Sequence, residues 1–99
     1  MPNQAEVFLN WLGQQSLLEA LSAAEHERWS HWQRYLHAQC TTTEDGSLVI
    51  PANLVERWTQ QMSTPYEELS DKEKESDREQ AREYLDLIRE EFSSTYRSD

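Results

Sequence analysis

The sequence predicts a mostly α protein: a compact four-helix single domain with at most a short β element near residues 47–50. Three observations lead there. Apolar residues recur at helical spacing in four separate segments. Capping boxes of the form Ser-x-x-Glu precede two of these segments, and each such box satisfies two orphan backbone donors at a helix start. Finally, two Gly and three Pro among 99 residues leave no Gly-rich linker, collagen-like repeat or array of β-turns.

The first helix is expected over about 3–12, burying Phe8, Leu12 and, with less support, Trp11, until Gly13 weakens its continuation. Two boxes follow, Ser16-Leu-Leu-Glu19 and Ser22-Ala-Ala-Glu25, and either can open the second helix. Taking Ser16 as the start, this helix runs to about Cys40 with Trp29, Trp32, Leu36 and Cys40 as its apolar stripe. Residues 41–47 (TTTEDGS) read as a turn-rich break. Ser47 to Ile50 (SLVI) is β-branched enough for one strand of a small hairpin. Pro51 suits the first turn of a third helix, because the N–H it lacks would be unpaired there. Leu54, Val55, Trp58 and Met62 form the apolar face of that helix, and Thr64-Pro65 ends it. The box Ser70-Asp71-Lys72-Glu73 opens the strongest helix, about 71–92, with Ala81, Leu85, Ile88 and Phe92 on one stripe. Acid-then-base pairs at i, i+3 recur along it, among them Asp86–Arg89.

Charge narrows the function classes. Nineteen acids against nine Lys and Arg give −10, and the stretch from Glu67 to Glu91 alone carries −6. That balance argues against direct nucleic-acid binding, which neutralises phosphates with a basic patch. The single Cys40 excludes an internal disulfide framework and fits a reducing, cytoplasmic setting. No apolar run approaches membrane-spanning length, and the N-terminal stretch lacks the charge and apolar core of a secretory signal. His37 and Cys40 share a helix face, but His26 stands about 16 Å from His37 along the axis, so no metal site is assigned. No nucleophile elbow, P-loop, dinucleotide fingerprint or zinc-protease motif occurs, which points away from an enzyme and from a cofactor.

The pattern breaks in two places. On the last helix, Lys74 and Arg78 fall within about 20° of the stripe through Leu85. Like charges at i, i+4 mildly destabilise a helix, so something anionic or carbonyl-rich is expected to face them, and Asp77 offsets part of their charge. On the second helix, the stripe extended back from Trp29 meets Glu25 and Ser22, with His26 on its flank. Three readings follow. The stripe simply ends in solvent; Lys74 or Arg78 pairs structurally with Glu25; or Trp29, His26, Lys74 and Arg78 line a polar pocket, with Trp32 counted among the ligand-binding candidates.

The residues also resemble a family. His26-Glu27-Arg28-Trp29 followed by Pro65, Tyr66, Leu69, Lys74, Asp77 and Arg78 is similar to the ryanodine-receptor repeat domain, which pairs His-Glu-x-Trp with Pro-Tyr-x-x-Leu-x-x-x-x-Lys-x-x-Asp-Arg. The similarity covers about Ser22 to Phe92, dividing the chain into an N-terminal helical extension (1–21), a repeat-like domain (22–93) and a polar C-terminal tail (94–99). Where the family carries a Gly-Trp-x-Tyr-Gly-like segment, this chain has His31-Trp32-Gln33-Arg34-Tyr35 and a turn-rich loop. For short stand-alone bacterial or phage versions, the resemblance implies a non-catalytic module that binds a nucleotide-derived signal. In a phage setting it would sequester that signal from host defence. Lys74 and Arg78 would then meet phosphate, Trp29 or Tyr66 would stack on a base, and His26 would hydrogen-bond. The N-terminus of the last helix at Ser70 would offer N–H groups to the anion. The competing expectation is an acidic, DNA-mimic-like interaction module that uses the carboxylates of the last helix, including Glu75, Glu79, Glu83 and Asp86. A homo-oligomer is a further expectation, with Trp11 as its contact residue.

Overall fold

A computed structural model describes residues 1–96. Among them are four helices, α1 (Gln4–Leu12), α2 (Gln15–Gln39), α3 (Ala52–Met62) and α4 (Asp71–Thr95). Between α2 and α3 lies an antiparallel pair, β1 (Thr41–Thr42) and β2 (Leu48–Val49), and a 3-10 turn, Tyr66–Glu68, precedes α4. The fold is therefore mostly α with a short β element, as the periodicity predicts. Contacts cluster in two units: residues 1–27 with 78–96, and residues 28–77.

In the first unit, Asn3 caps α1. Its side-chain oxygen accepts the Glu6 N–H at 2.8 Å, and its side-chain amide donates to the Glu6 carboxylate at 3.4 Å. Gly13 ends the helix, and the chain enters α2 after Gln14. The second helix opens at Gln15 without the Ser16 or Ser22 box, since Gln14 C=O takes the Leu18 N–H. Trp11 and Leu17 form the buried core, at 1% and 2% exposure. This corrects the expectation for α1: Phe8 and Leu12 remain about two-fifths exposed, and Trp11 is the residue buried. It also removes Trp11 from any oligomer contact. The cause is the partner ring, Phe92, which meets Trp11 edge to face at 4.9 Å, while Phe8 packs beside both.

The inner line of α4 in this unit runs through Gln80, Tyr84, Leu87, Ile88, Glu91 and Phe92, all half-buried. Ala81 is exposed and Leu85 is 60% exposed, so the expected stripe is rotated. Hydropathy counts Tyr84, Gln80 and Glu91 as polar, but the ring and the methylene stems supply covering surface. The helix continues to Thr95, three residues beyond Phe92, so 94–95 of the expected tail are helical and 97–99 lie outside the described residues. The pair Asp86–Arg89 forms at 3.7 Å on the exposed face and is worth about 0.2–0.5 kcal/mol.

In the second unit, β1 pairs with β2 in the register Thr41 to Val49 and Thr42 to Leu48. The expected strand at 47–50 is thus present, and its partner comes from residues read as a turn-rich break. Thr43 C=O accepts the Gly46 N–H, Thr43 N–H reaches Ser47 C=O at 2.8 Å, and Gly46 takes φ +88°. Only glycine adopts that conformation without steric cost. Gly46→Ala is expected to lower stability by about 1 kcal/mol in denaturant melts. Gly13→Ala should instead raise it by about 0.5 kcal/mol, because Gly13 has φ −85° and an added Cβ would make ordinary contact with Asn10 O at 3.5 Å.

Asp45 organises the same turn, accepting the Thr43 hydroxyl at 2.6 Å and the Ser47 N–H at 2.9 Å. The Thr43 hydroxyl first, and Ser47 second, hold its carboxyl down to about 2 from 3.8. A depressed carboxyl stabilises the turn above its unfolded value. That stabilisation is expected to fade as pH falls from about 4 through about 2. NMR titration of the Asp45 carboxyl carbon and the Ser47 amide reads it directly. A midpoint near 4 for both would contradict the hydrogen-bonded turn.

α3 starts after Pro51, as its missing N–H suggests. Leu54 and Trp58 are half-buried, but Val55 is 46% and Met62 78% exposed, so the inner face is narrower than the expected four residues. On the part of α2 in this unit, Ser30, Gln33, Leu36 and Cys40 are half-buried while Trp29 and Trp32 are 56% and 48% exposed. A hydropathy stripe follows the largest apolar residues; the inward line here runs through smaller ones. Cys40 Sγ donates to Leu36 O at 3.2 Å.

Candidate functional site

The segment from Pro65 into α4 is built by local hydrogen bonds. Thr64 Oγ1 donates to Gln60 O as α3 ends, and Pro65 turns the chain to extended backbone. Glu68 N–H then reaches Pro65 O at 2.9 Å, and Leu69 N–H reaches Tyr66 O at 3.0 Å, closing the 3-10 turn. Leu69 is half-buried and anchors this turn. The Ser70 hydroxyl accepts the Glu73 N–H and donates to the Glu73 carboxylate at 2.8 Å, so the N-cap half of the expected box is present and the carboxylate takes the hydroxyl in place of the Ser70 N–H. The Ser70 side chain takes a first-turn N–H, and a carboxylate stands beside it.

The geometry brings Tyr66 and Lys74 together. The Lys74 ammonium lies 5.9 Å from the centroid of the Tyr66 ring, within cation–π range. Lys74 is half-buried, and among the described residues its ammonium has no carboxylate partner. A cation held against a ring quadrupole in a strongly acidic chain keeps unsatisfied capacity for an anion. Arg78 follows one turn later on α4, and Asp77 stands exposed between them.

The other expected residues are placed differently. Trp32 stacks on Tyr35 at 5.4 Å and meets Trp58 at 6.2 Å, making an aromatic cluster of its own in the second unit. It makes no ring contact with Tyr66. Trp29 is more than half exposed. His26 and Arg78 fall in the first unit, and His26, Trp29 and Arg78 each already hold an interaction within the fold. Tyr66 has Lys74 over its ring and so acts as a seat for that cation.

Sequence reading missed a second feature. In the first unit an open groove of about 560 Å³ is lined by Leu21, Ser22, Glu25, Tyr84 and Ile88. The Tyr84 hydroxyl donates to Glu25 Oε2 at 2.5 Å across it. This gives Glu25 a neutral phenol partner. The available signal was a tyrosine at an inner α4 position, whose hydroxyl needs an acceptor when the ring is covered. Among the described residues no group of three His, Cys, Asp or Glu is placed to hold a metal ion, and no helix is long and apolar enough to cross a membrane. Compared with known proteins, the chain matches no protein-family model, no curated protein and no solved structure.

Proposed function

We propose that the chain is a non-catalytic binding module of the ryanodine-receptor repeat type. It takes a small anionic ligand of nucleotide type at Tyr66 and Lys74, both in the second unit. The observation that carries this reading is the Lys74 ammonium seated on the Tyr66 ring without a carboxylate partner, inside the Pro65-to-Arg78 signature. Lysine supplies a point charge to phosphate. The ring fixes where the ammonium sits, so less side-chain entropy is lost on binding. Trp29, more than half exposed, offers a flat apolar surface for a base. The −10 of the whole chain slows an anion's approach, so added salt should raise the association rate before it weakens the local contacts.

The test is NMR mapping with inorganic pyrophosphate, nucleoside diphosphates and cyclic nucleotides as probes. Shifts centred on Tyr66 and Lys74 are the expected result. Shifts confined to the groove at Tyr84 and Ile88, or none with any probe, would overturn it.

A second reading rests on α4, where Glu79, Glu83, Asp86 and Glu90 are all exposed. As an acidic, DNA-mimic-like interaction module, the protein would lose partner binding when these residues are neutralised and be indifferent to Lys74.

A further inference from the structure

We infer that the surface joining α2 and α3 at Trp32 and Trp58 is a protein-docking site. Its occupant is a short acidic segment of a partner protein, with an apolar side chain at the segment's centre. The surface lies within the second unit. On α2, Arg28, Trp32 and Tyr35 recur at i, i+4 and i+7, along one side of the helix. On α3, Val55, Trp58 and Met62 recur at i, i+3 and i+7. The Trp32 and Trp58 rings meet at 6.2 Å and join the two lines, and Tyr35 stacks on Trp32 at 5.4 Å with 23° between the planes. The rings are thus fixed before any partner arrives. Even so, Trp32 is 48%, Tyr35 42%, Val55 46% and Met62 78% exposed. Side chains of this size and exposure leave a joined apolar surface on the order of 400 Å², the scale of a functional patch.

Composition and charge select the occupant. Aromatic rings, Met and Arg are enriched where proteins bind proteins, and acids are depleted there. Here Arg28 stands at one end of the α2 line, and Arg57 adjoins Trp58 on α3. No acid occurs from Arg28 to Thr43, and Glu56, the one acid of α3, lies on the far side of that helix from Trp58. Over residues 28–66, Arg28, Arg34 and Arg57 balance Glu44, Asp45 and Glu56, so the whole −10 of the chain falls elsewhere. A long polyanion such as a nucleic acid meets the repulsion of that whole charge. A short segment meets only this neutral stretch with its arginines. Two copies set face to face would oppose arginine to arginine, which argues against a symmetric dimer here. Carboxylates on the segment complement the arginines, and an aliphatic or aromatic side chain between them packs on the exposed rings. The surface uses neither Tyr66 nor Lys74, so it stands or falls apart from the anionic-ligand site.

Selection of a random-peptide library on the immobilised full chain tests this. Recovered peptides should be enriched in Asp and Glu flanking Leu, Phe or Pro. The most frequent tryptophan-free peptide, titrated against the chain, should change its tryptophan emission and bind less tightly as salt is added. Trp32→Ala should weaken that binding by about tenfold or more, as truncation of a central aromatic anchor does. Met62→Glu should weaken it by a similar factor, because it sets a carboxylate against the acidic peptide. Leu85→Glu adds the same charge at an exposed apolar residue of the first unit, and should leave the affinity unchanged. Both glutamate variants alter exposed side chains, so their helical circular dichroism should match the wild type. No enrichment over a blank support, or recovery of Lys- and Arg-rich peptides, would overturn the proposal. So would binding that survives both Trp32→Ala and Met62→Glu, or equal weakening by Leu85→Glu. Displacement of the peptide by oligothymidylate would assign the surface to nucleic acid and overturn it as well.

Discussion

Trp11→Ala is expected to cost about 3–5 kcal/mol of folding stability, the largest effect of any single substitution in the chain. Trp11 is 1% exposed, with Phe92 edge-on at 4.9 Å and Phe8 at 5.8 Å. Its indole N–H donates to Thr95 Oγ1 at 3.2 Å, and that hydroxyl donates in turn to Glu91 O at 2.8 Å. Removing the ring leaves a cavity that Phe8 and Phe92 fill only in part. A chain of this length holds about 5–15 kcal/mol in total, so the variant should be near its unfolding threshold at physiological temperature. Trp11→Phe keeps most of the ring volume. It should lose mainly the hydrogen bond, about 1 kcal/mol, as should Thr95→Val. Urea melts of the three variants separate packing from hydrogen bonding. A loss below about 1 kcal/mol for Trp11→Ala would contradict the placement of this residue at the centre of the first unit.

Lys74→Glu is expected to abolish binding of the anionic ligand while leaving the fold intact. The folding cost is small. The contact with Tyr66 is worth about 0.5–1 kcal/mol at a partly exposed site, and a new Glu at i, i+4 from Arg78 returns some of it. The binding cost is large, because a charge-assisted contact of about 1.5–3 kcal/mol is replaced by repulsion. That corresponds to a loss of about 100-fold or more in affinity. Tyr66→Leu should sit between wild type and Lys74→Glu, retaining the ammonium but losing its seat. Titration calorimetry with the tightest probe, alongside thermal melts of each variant, reads both effects. Unchanged affinity in Lys74→Glu would remove Lys74 from the site.

Much of the fold was legible because helix starts and breaks have local chemistry. Pro51 and Ser70 act through their own backbone neighbours, and each stands where its chemistry requires. Which face of a helix turns inward was harder to read. On α4 the inner line depends on Tyr84, Gln80 and Glu91, whose covering atoms hydropathy does not credit, so Leu85 looked central and is exposed. That changes the meaning of Lys74 and Arg78. The line through Leu85 is largely exposed, so alignment with it no longer marks these cations as out of place. Lys74 keeps its interest for a different reason, the Tyr66 ring beneath it, which a pair eight residues apart across a turn did not reveal. The Tyr84–Glu25 bond was illegible because it joins residues 59 apart in sequence.

The most direct test of ligand binding at Tyr66 and Lys74 is a thermal-shift screen of the wild type and Lys74→Glu. The panel comprises linear and cyclic nucleotides, ADP-ribose-type compounds and simple phosphates. A ligand present at about 100 times its dissociation constant adds about 2.7 kcal/mol. For a chain of this size that raises the melting temperature by several degrees. The expected result is a shift of that size for at least one nucleotide-type compound, lost in Lys74→Glu. No shift across the panel, or one that survives in Lys74→Glu, would contradict the site and turn attention to the exposed carboxylates of α4.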